Sequence, residues 1–190
     1  MTKGTAKFLR GRMMRHSLWY TAGIVLLVVM ALAIAGCYES DVEVISASSA
    51  VTVNGVPGDY TFDNGGTLTV SSVPLSNDYR FREVSKDNKA STGYLRLVPL
   101  RGDIYIIQAK YDNETVYYID FYQFSSSTRR FQPLEASADE KRLDQLAQQY
   151  NVKIDWDSWD FVPYLSGTSS NILAFLRAHA NLPFKSAAAK

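Results

Sequence analysis

The chain has 190 residues, 13% of them aromatic, one cysteine and a formal charge of +1. That length suits a single domain with a sizeable core. The near-neutral charge gives no electrostatic basis for nucleic-acid binding, and one thiol excludes an internal disulfide framework or a cysteine-based zinc site. Residues 1–17 carry Lys3, Lys7, Arg10, Arg12 and Arg15 and no acid, and Leu18 to Ala35 holds no charged side chain. A basic head, an apolar middle and a small-residue exit make up an export signal. The apolar run is close to the length of about 20 residues that a permanent helical span needs.

Ile34-Ala35-Gly36-Cys37 closes the run. The segment resembles the lipobox of bacterial prolipoproteins: an aliphatic residue, a small one, Gly or Ala, then Cys. The resemblance covers the signal alone. It implies cleavage between Gly36 and Cys37, diacylation of the Cys37 sulfur with palmitate-type chains, and a new amino terminus open to acylation. Tyr38 stands where an Asp would imply retention at the inner membrane, so the resemblance implies an outer-membrane lipoprotein facing the periplasm. A start at Met14 instead of Met1 gives a shorter basic head of the usual kind. An uncleaved signal anchor or an ordinary secretory signal fits the same run, and each puts the rest of the chain outside the cytoplasm.

From Cys37 on there are 154 residues, with 15 bases against 19 acids, so this part is mildly acidic at −4. Residues 37–57 read as the lipidated terminus and a tether, with linker-like Ser46-Ala47-Ser48-Ser49-Ala50. A globular domain is expected over 58–184 and a frayed tail over 185–190. Alternating runs predict strands at Asp59–Phe62, Thr67–Val70, Tyr79–Val84, Tyr94–Val98, Asp103–Tyr111 and Thr115–Phe124. Asp63-Asn64, Asp87-Asn88 and Asp112-Asn113 each follow a strand. Asp and Asn tolerate left-handed backbone, so the three pairs predict three hairpins of a meander. Ser137 to Glu140 reads as a capping box, with Leu143, Leu146, Ala147 and Tyr150 on one helical face. Val152, Ile154 and Trp156 alternate as a short strand. Ser169 or Ser170 opens a second helix, and Pro183 follows its end. Strands first and helices last predict an α+β fold: an antiparallel meander, as a twisted sheet or partial barrel, then two C-terminal helices.

The chemistry-bearing residues are few. His179 is the single histidine beyond the signal, and no Gly-x-Ser-x-Gly elbow accompanies it. No catalytic residue is therefore assigned. Asp155, Asp157 and Asp160 have the spacing of an opening calcium loop, but the Gly and terminal Glu of such a loop are missing. No metal or other cofactor is expected. Val116 to Phe124 is aromatic on both faces, with Tyr118, Tyr122 and Phe124 on one of them. Either the strand is covered on both sides, or those three form a surface for an envelope protein or wall polymer. The expected role is binding or structural and non-enzymatic. The alternatives are an envelope glycan hydrolase working through a carboxylate pair and an inhibitor of a lytic enzyme. For the latter, Ser91-Thr92-Gly93-Tyr94 superficially resembles a loop of lysozyme-inhibitor lipoproteins.

Overall fold

Short alternating strands joined by tight left-handed turns pair with their predecessors, and this pairing builds most of the molecule. The structure is a computed structural model describing residues 38–62, 65–136, 140–156, 162–182 and 184–186. Its strands are β1 Tyr38–Ser40, β2 Gly58–Thr61, β3 Thr67–Ser72, β4 Tyr79–Val84, β5 Ala90–Arg101, β6 Ile104–Tyr111, β7 Tyr117–Ser125, β8 Arg130–Ala136, β9 Lys153–Asp155, β10 Tyr164–Ser166 and β11 Phe184–Ser186. Helix α1 spans Glu140–Gln149 and α2 spans Ser169–His179. Of the Asp-Asn pairs, Asp87-Asn88 turns as expected, with Asn88 (φ 58°) reversing the chain between β4 and β5. Asp112-Asn113 lies between β6 and β7 without a left-handed residue, and Gly102 (φ 55°) reverses the chain between β5 and β6. Asp63-Asn64 and most of the capping box, Ser137 to Asp139, lie outside the described residues.

The fold is the predicted meander with two helices after it. Strands β2 to β8 pair antiparallel in chain order, and the sheet continues from β7 through β1 and β10 to β9. The β1–β10 pair is the parallel one. Strand β7 is shared along its far edge. Residues 117–119 pair with β1, residues 122–125 pair with β8, and Asp120 and Phe121 sit at the fork between them.

Each face of this sheet has its own core. Val70, Phe81, Leu95, Leu97, Ala109 and Phe124 form an inner cluster with Val56. The sheet curls around it far enough to bring its ends together. The Tyr60 ring on β2 lies 5.4 Å from Phe131 on β8, and Arg129 Nη2 donates to the Pro57 carbonyl at 2.6 Å. Among the described residues no ladder joins β2 to β8, so the barrel is partial. The outer cluster joins Val98, Ile106, Ile119 and Phe121 to the helices. In α2, Ile172, Phe175, Leu176 and His179 follow the 3.6-residue period and are buried. Thr168 caps this helix, its hydroxyl accepting from Asn171 N–H at 3.3 Å. In α1, Leu143 and Ala147 are buried, with Leu146 and Tyr150 packed beside them.

Two expectations are corrected. Residues 38–57 are not a tether. Strand β1 is fully buried between β7 and β10. The buried Gln108 amide oxygen then accepts from Val44 N–H at 2.7 Å and Ile45 N–H at 2.8 Å. Arg96 adds ion pairs to Glu43 at 2.7 Å and Asp78 at 2.6 Å. Farther on, Val51 N–H donates to Leu97 O at 2.9 Å, and Val53 N–H to the Tyr79 hydroxyl at 2.6 Å. Within the serine-rich stretch Ser46, Ala47 and Ser48 are exposed, in a turn closed by Ser49 N–H to Ser46 O, and Ala50 is buried. The apolar residues around it decide the outcome, since each gains about 1.5–3 kcal/mol on burial. The second correction is the tail: Lys185 and Ser186 lie in β11, paired with Glu135 and Leu134 of β8. Residues 187–190 lie outside the described residues.

Candidate functional site

Tyr118, Tyr122 and Phe124 face the interior of the partial barrel. Phe124 is 3% exposed and packs 4.7 Å from Phe131. Tyr118 stands edge-on to Tyr111 at 5.7 Å, and Tyr122 edge-on to Phe131 at 5.9 Å. On the opposite face of β7, Ile119 and Phe121 are fully buried. The aromatic strand is covered on both sides because it is central, and the three rings do not form an open surface.

His179 is buried at the end of α2. Its Nδ1 lies 3.0 Å from the Tyr38 hydroxyl, with Phe121, Phe175 and Tyr38 rings at 5.4, 5.8 and 5.8 Å. Nε2 is buried with no hydrogen-bond partner among the described residues. Burial alone lowers its pKa from 6.5 to about 4. The site joins the first strand to the last helix with a neutral imidazole. A stability effect follows. The unfolded chain takes up a proton near pH 6.5 and the folded one only near 4, so stability is full above the higher value and is lost as pH falls between the two. The full loss is about 3 kcal/mol. Urea unfolding at pH 7 and pH 4 should show it in the wild type and not in His179→Phe.

At the barrel mouth, the Tyr111 hydroxyl donates to Glu83 Oε2 at 2.8 Å. Desolvation raises the Glu83 carboxyl above its ordinary range, and the Tyr111 hydrogen bond offsets part of the rise. Tyr111 is itself raised, first by burial and then by the charge of Glu83, with Glu114 adding to it. Two surface depressions lie elsewhere. One is on the helices beside Tyr150, Leu173 and Arg177, the other beside Ala47, Leu75 and Asn77, and neither is lined by a carboxylate. Asp155 is an exposed residue of β9, while Asp157 and Asp160 lie outside the described residues, as do Gly36 and Cys37. Among the described residues, no three His, Cys, Asp or Glu side chains come together as a metal would require. Ser91 to Tyr94 is no loop: it runs inside β5, paired with β4 and β6.

The sheet's outer face supplies the arrangement that sequence reasoning missed. Along β5, Gly93, Leu95 and Leu97 point inward, and Thr92, Tyr94 and Arg96 point out. The helices cover this face near Val98 and leave it bare toward Tyr94, which is 48% exposed. Register aligns Ser71, Arg80, Tyr94 and Lys110 across β3 to β6. The Arg80 guanidinium carbon lies 4.3 Å from the Tyr94 ring centroid. Lys110 Nζ reaches 4.5 Å from that of Tyr117 on β7. Cation and ring thus alternate along one row.

The row is braced from its end. Arg80 grips Asp112 with both terminal nitrogens, Nη1 at 2.6 Å from Oδ1, and the Thr92 hydroxyl donates to the same carboxylate at 2.5 Å. These bonds, Arg80 first, hold the Asp112 carboxyl below its ordinary range. Arg82 lies one row over, between Thr69 and Thr92, and is exposed. The signal available in the sequence was the polar or aromatic partner of each inward apolar residue, Arg80 beside Phe81 and Tyr94 beside Leu95. Nothing short of the register brings those positions together. Compared with protein-family models, curated proteins and solved structures, the chain matches none.

Proposed function

We propose that the chain is an envelope lipoprotein that acts by binding rather than by catalysis. Lipid on Cys37 holds it in a bacterial membrane, the outer membrane facing the periplasm. The outer row of Arg80, Tyr94, Lys110 and Tyr117 is its contact surface. The observation that carries the binding reading is this row: an exposed ring and pre-positioned cations on the part of the sheet that the helices leave bare. Support for the anchor is the sequence Ile34-Ala35-Gly36-Cys37 at the end of an apolar run. Among the described residues no helix is long and apolar enough to cross a membrane. Two or three acyl chains hold a protein stably at about 0.8 kcal/mol per buried methylene, where one chain does so only marginally.

The burial of Tyr38 adds a geometric consequence. With no spacer between Cys37 and β1, the anchored domain sits directly at the lipid surface instead of swinging on a tether. Palmitate labelling of the wild type beside Cys37→Ala tests the anchor. The wild type is expected to carry label and the mass of a chain beginning at Cys37, and the variant neither. An unlabelled, full-length wild type would overturn the lipoprotein reading in favour of a signal anchor.

A further inference from the structure

We propose that the Arg80–Tyr94–Lys110–Tyr117 row binds a linear acidic glycan of the cell envelope, its sugar rings lying across the strands. The proposal rests on the binding reading above and names the ligand of that same surface. Three observations carry it.

The first is the repeat. Neighbouring strands are about 4.8 Å apart, so Tyr94 on β5 and Tyr117 on β7 stand about 9.6 Å apart along the row. That is roughly the disaccharide repeat of an extended β-linked polysaccharide, in which every second sugar presents the same face. Two rings at this spacing can stack on alternate sugars of one chain.

The second is charge. The domain carries a formal −4 from Cys37 on, yet this face sets Arg80, Arg82 and Lys110 against Asp59 and Asp112. Arg80 is committed to Asp112. Arg82 and Lys110 make no ion pair among the described residues, which leaves two cations beside the rings for carboxylates on the glycan. Their reach is short, about 8 Å at physiological salt, so they act on a ligand already in contact.

The third is what surrounds the rings. Thr69, Ser71 and Thr92 carry hydroxyls on the same face. Each donates within the protein, to Asp59, the Arg80 carbonyl and Asp112 respectively, and its oxygen is left to accept from sugar hydroxyls. A stable protein–protein contact needs about 1,000 Å² with an apolar centre, and two rings amid hydroxyls and cations do not provide one. The Asp112 bracing fixes Arg80 over Tyr94 before any ligand arrives, so less side-chain freedom is lost on binding. Arg80 is accordingly a positioning residue, and Tyr94, Tyr117 and Lys110 are the contacts.

Full-length protein in detergent is to be sedimented with isolated peptidoglycan sacculi, and displaced with hyaluronan fragments, an acidic β-linked glycan, or with polyglutamate, an anionic chain without sugars. Sacculi should retain the wild type, with hyaluronan displacing it at concentrations at least about tenfold lower than polyglutamate. Tyr94→Ala and Tyr117→Ala should each weaken retention about tenfold. Lys110→Gln should weaken it about threefold, with a flatter salt dependence. Unchanged circular dichroism and melting in these surface variants would confirm that the fold is intact. Absence of retention, retention indifferent to both tyrosine substitutions, or equal displacement by polyglutamate would overturn the proposal. Cys37→Ala should be retained as well as the wild type, which separates the fate of this site from that of the lipid anchor.

Discussion

Tyr38→Ala is expected to lower the unfolding free energy by about 4 kcal/mol, the scale of deleting a buried aromatic side chain. The ring is 2% exposed. It stands edge-on to Phe175 at 5.9 Å and to His179 at 5.8 Å. Its hydroxyl provides the hydrogen bond on His179 Nδ1, so truncation leaves a cavity and a second buried imidazole nitrogen without a partner. Tyr38→Phe keeps the ring and removes only the hydroxyl, at about 1 kcal/mol. Urea unfolding of the two variants beside the wild type decides the matter. A cost below about 1 kcal/mol for Tyr38→Ala would mean that β1 contributes little to the fold, and residues 38–57 would again be a tether.

Gly93→Ala is expected to destabilise by about 3 kcal/mol or more, the upper end of overpacking. A Cβ at this position would stand 2.3 Å from the Lys110 carbonyl oxygen and 2.6 Å from the Phe81 ring. The ring can shift. The carbonyl belongs to the neighbouring strand and cannot move without breaking the β5–β6 ladder, so Phe81→Leu should rescue the variant only in part. Gly102→Ala is the control. Nothing lies within 4 Å of a Cβ there, and only the left-handed backbone (φ 55°) opposes the substitution, at about 1 kcal/mol. Thermal unfolding should rank them wild type, Gly102→Ala, Gly93→Ala. Because Gly93 precedes Tyr94, a displaced β5 would also misplace the outer row, and Gly93→Ala should lose sacculus retention while Gly102→Ala keeps it.

Local pattern made the meander and its helices legible. Tyr79-Arg80-Phe81 alternates cleanly, Asn88 supplies a left-handed turn, and Ile172, Phe175 and Leu176 recur at helical spacing, all signals contained within a few residues. What stayed hidden depends on partners far away in the chain. Tyr38-Glu39-Ser40 has no period of its own, and it is a strand because β7 and β10 lie on either side of it. Strand β8 contains Pro133, which argues against a strand. Pro133 is tolerated because it pairs with Tyr122 on one side, while β11 meets β8 only from Leu134 onward. The candidate site suffered from the same limit. Alternation divides β7 into two faces without saying which one is enclosed, and the rings of Tyr118, Tyr122 and Phe124 proved to be barrel interior. The exposed row draws single residues from four strands, and only register assembles it.

The fork at β7 bears on how the chain acquires its structure. Strand β1 is the first of the described strands to be made, yet its partners include segments made late. Ser40 bonds a carbonyl 125 residues onward, and Tyr38 meets His179 across 141 residues. Closing loops of that length is slow, and such non-local pairing retards folding. The meander from β2 to β8 forms its hairpins from adjacent segments and needs no such wait. The expected order is therefore meander first, with β1 slotting beside β7 only after β10 and α2 have arrived. Until then the edge of β7 that β1 will occupy is an open strand, the kind of template on which chains pair with one another. A newly made molecule is at its most vulnerable to aggregation in that interval, and a holdase chaperone would find its binding surface there.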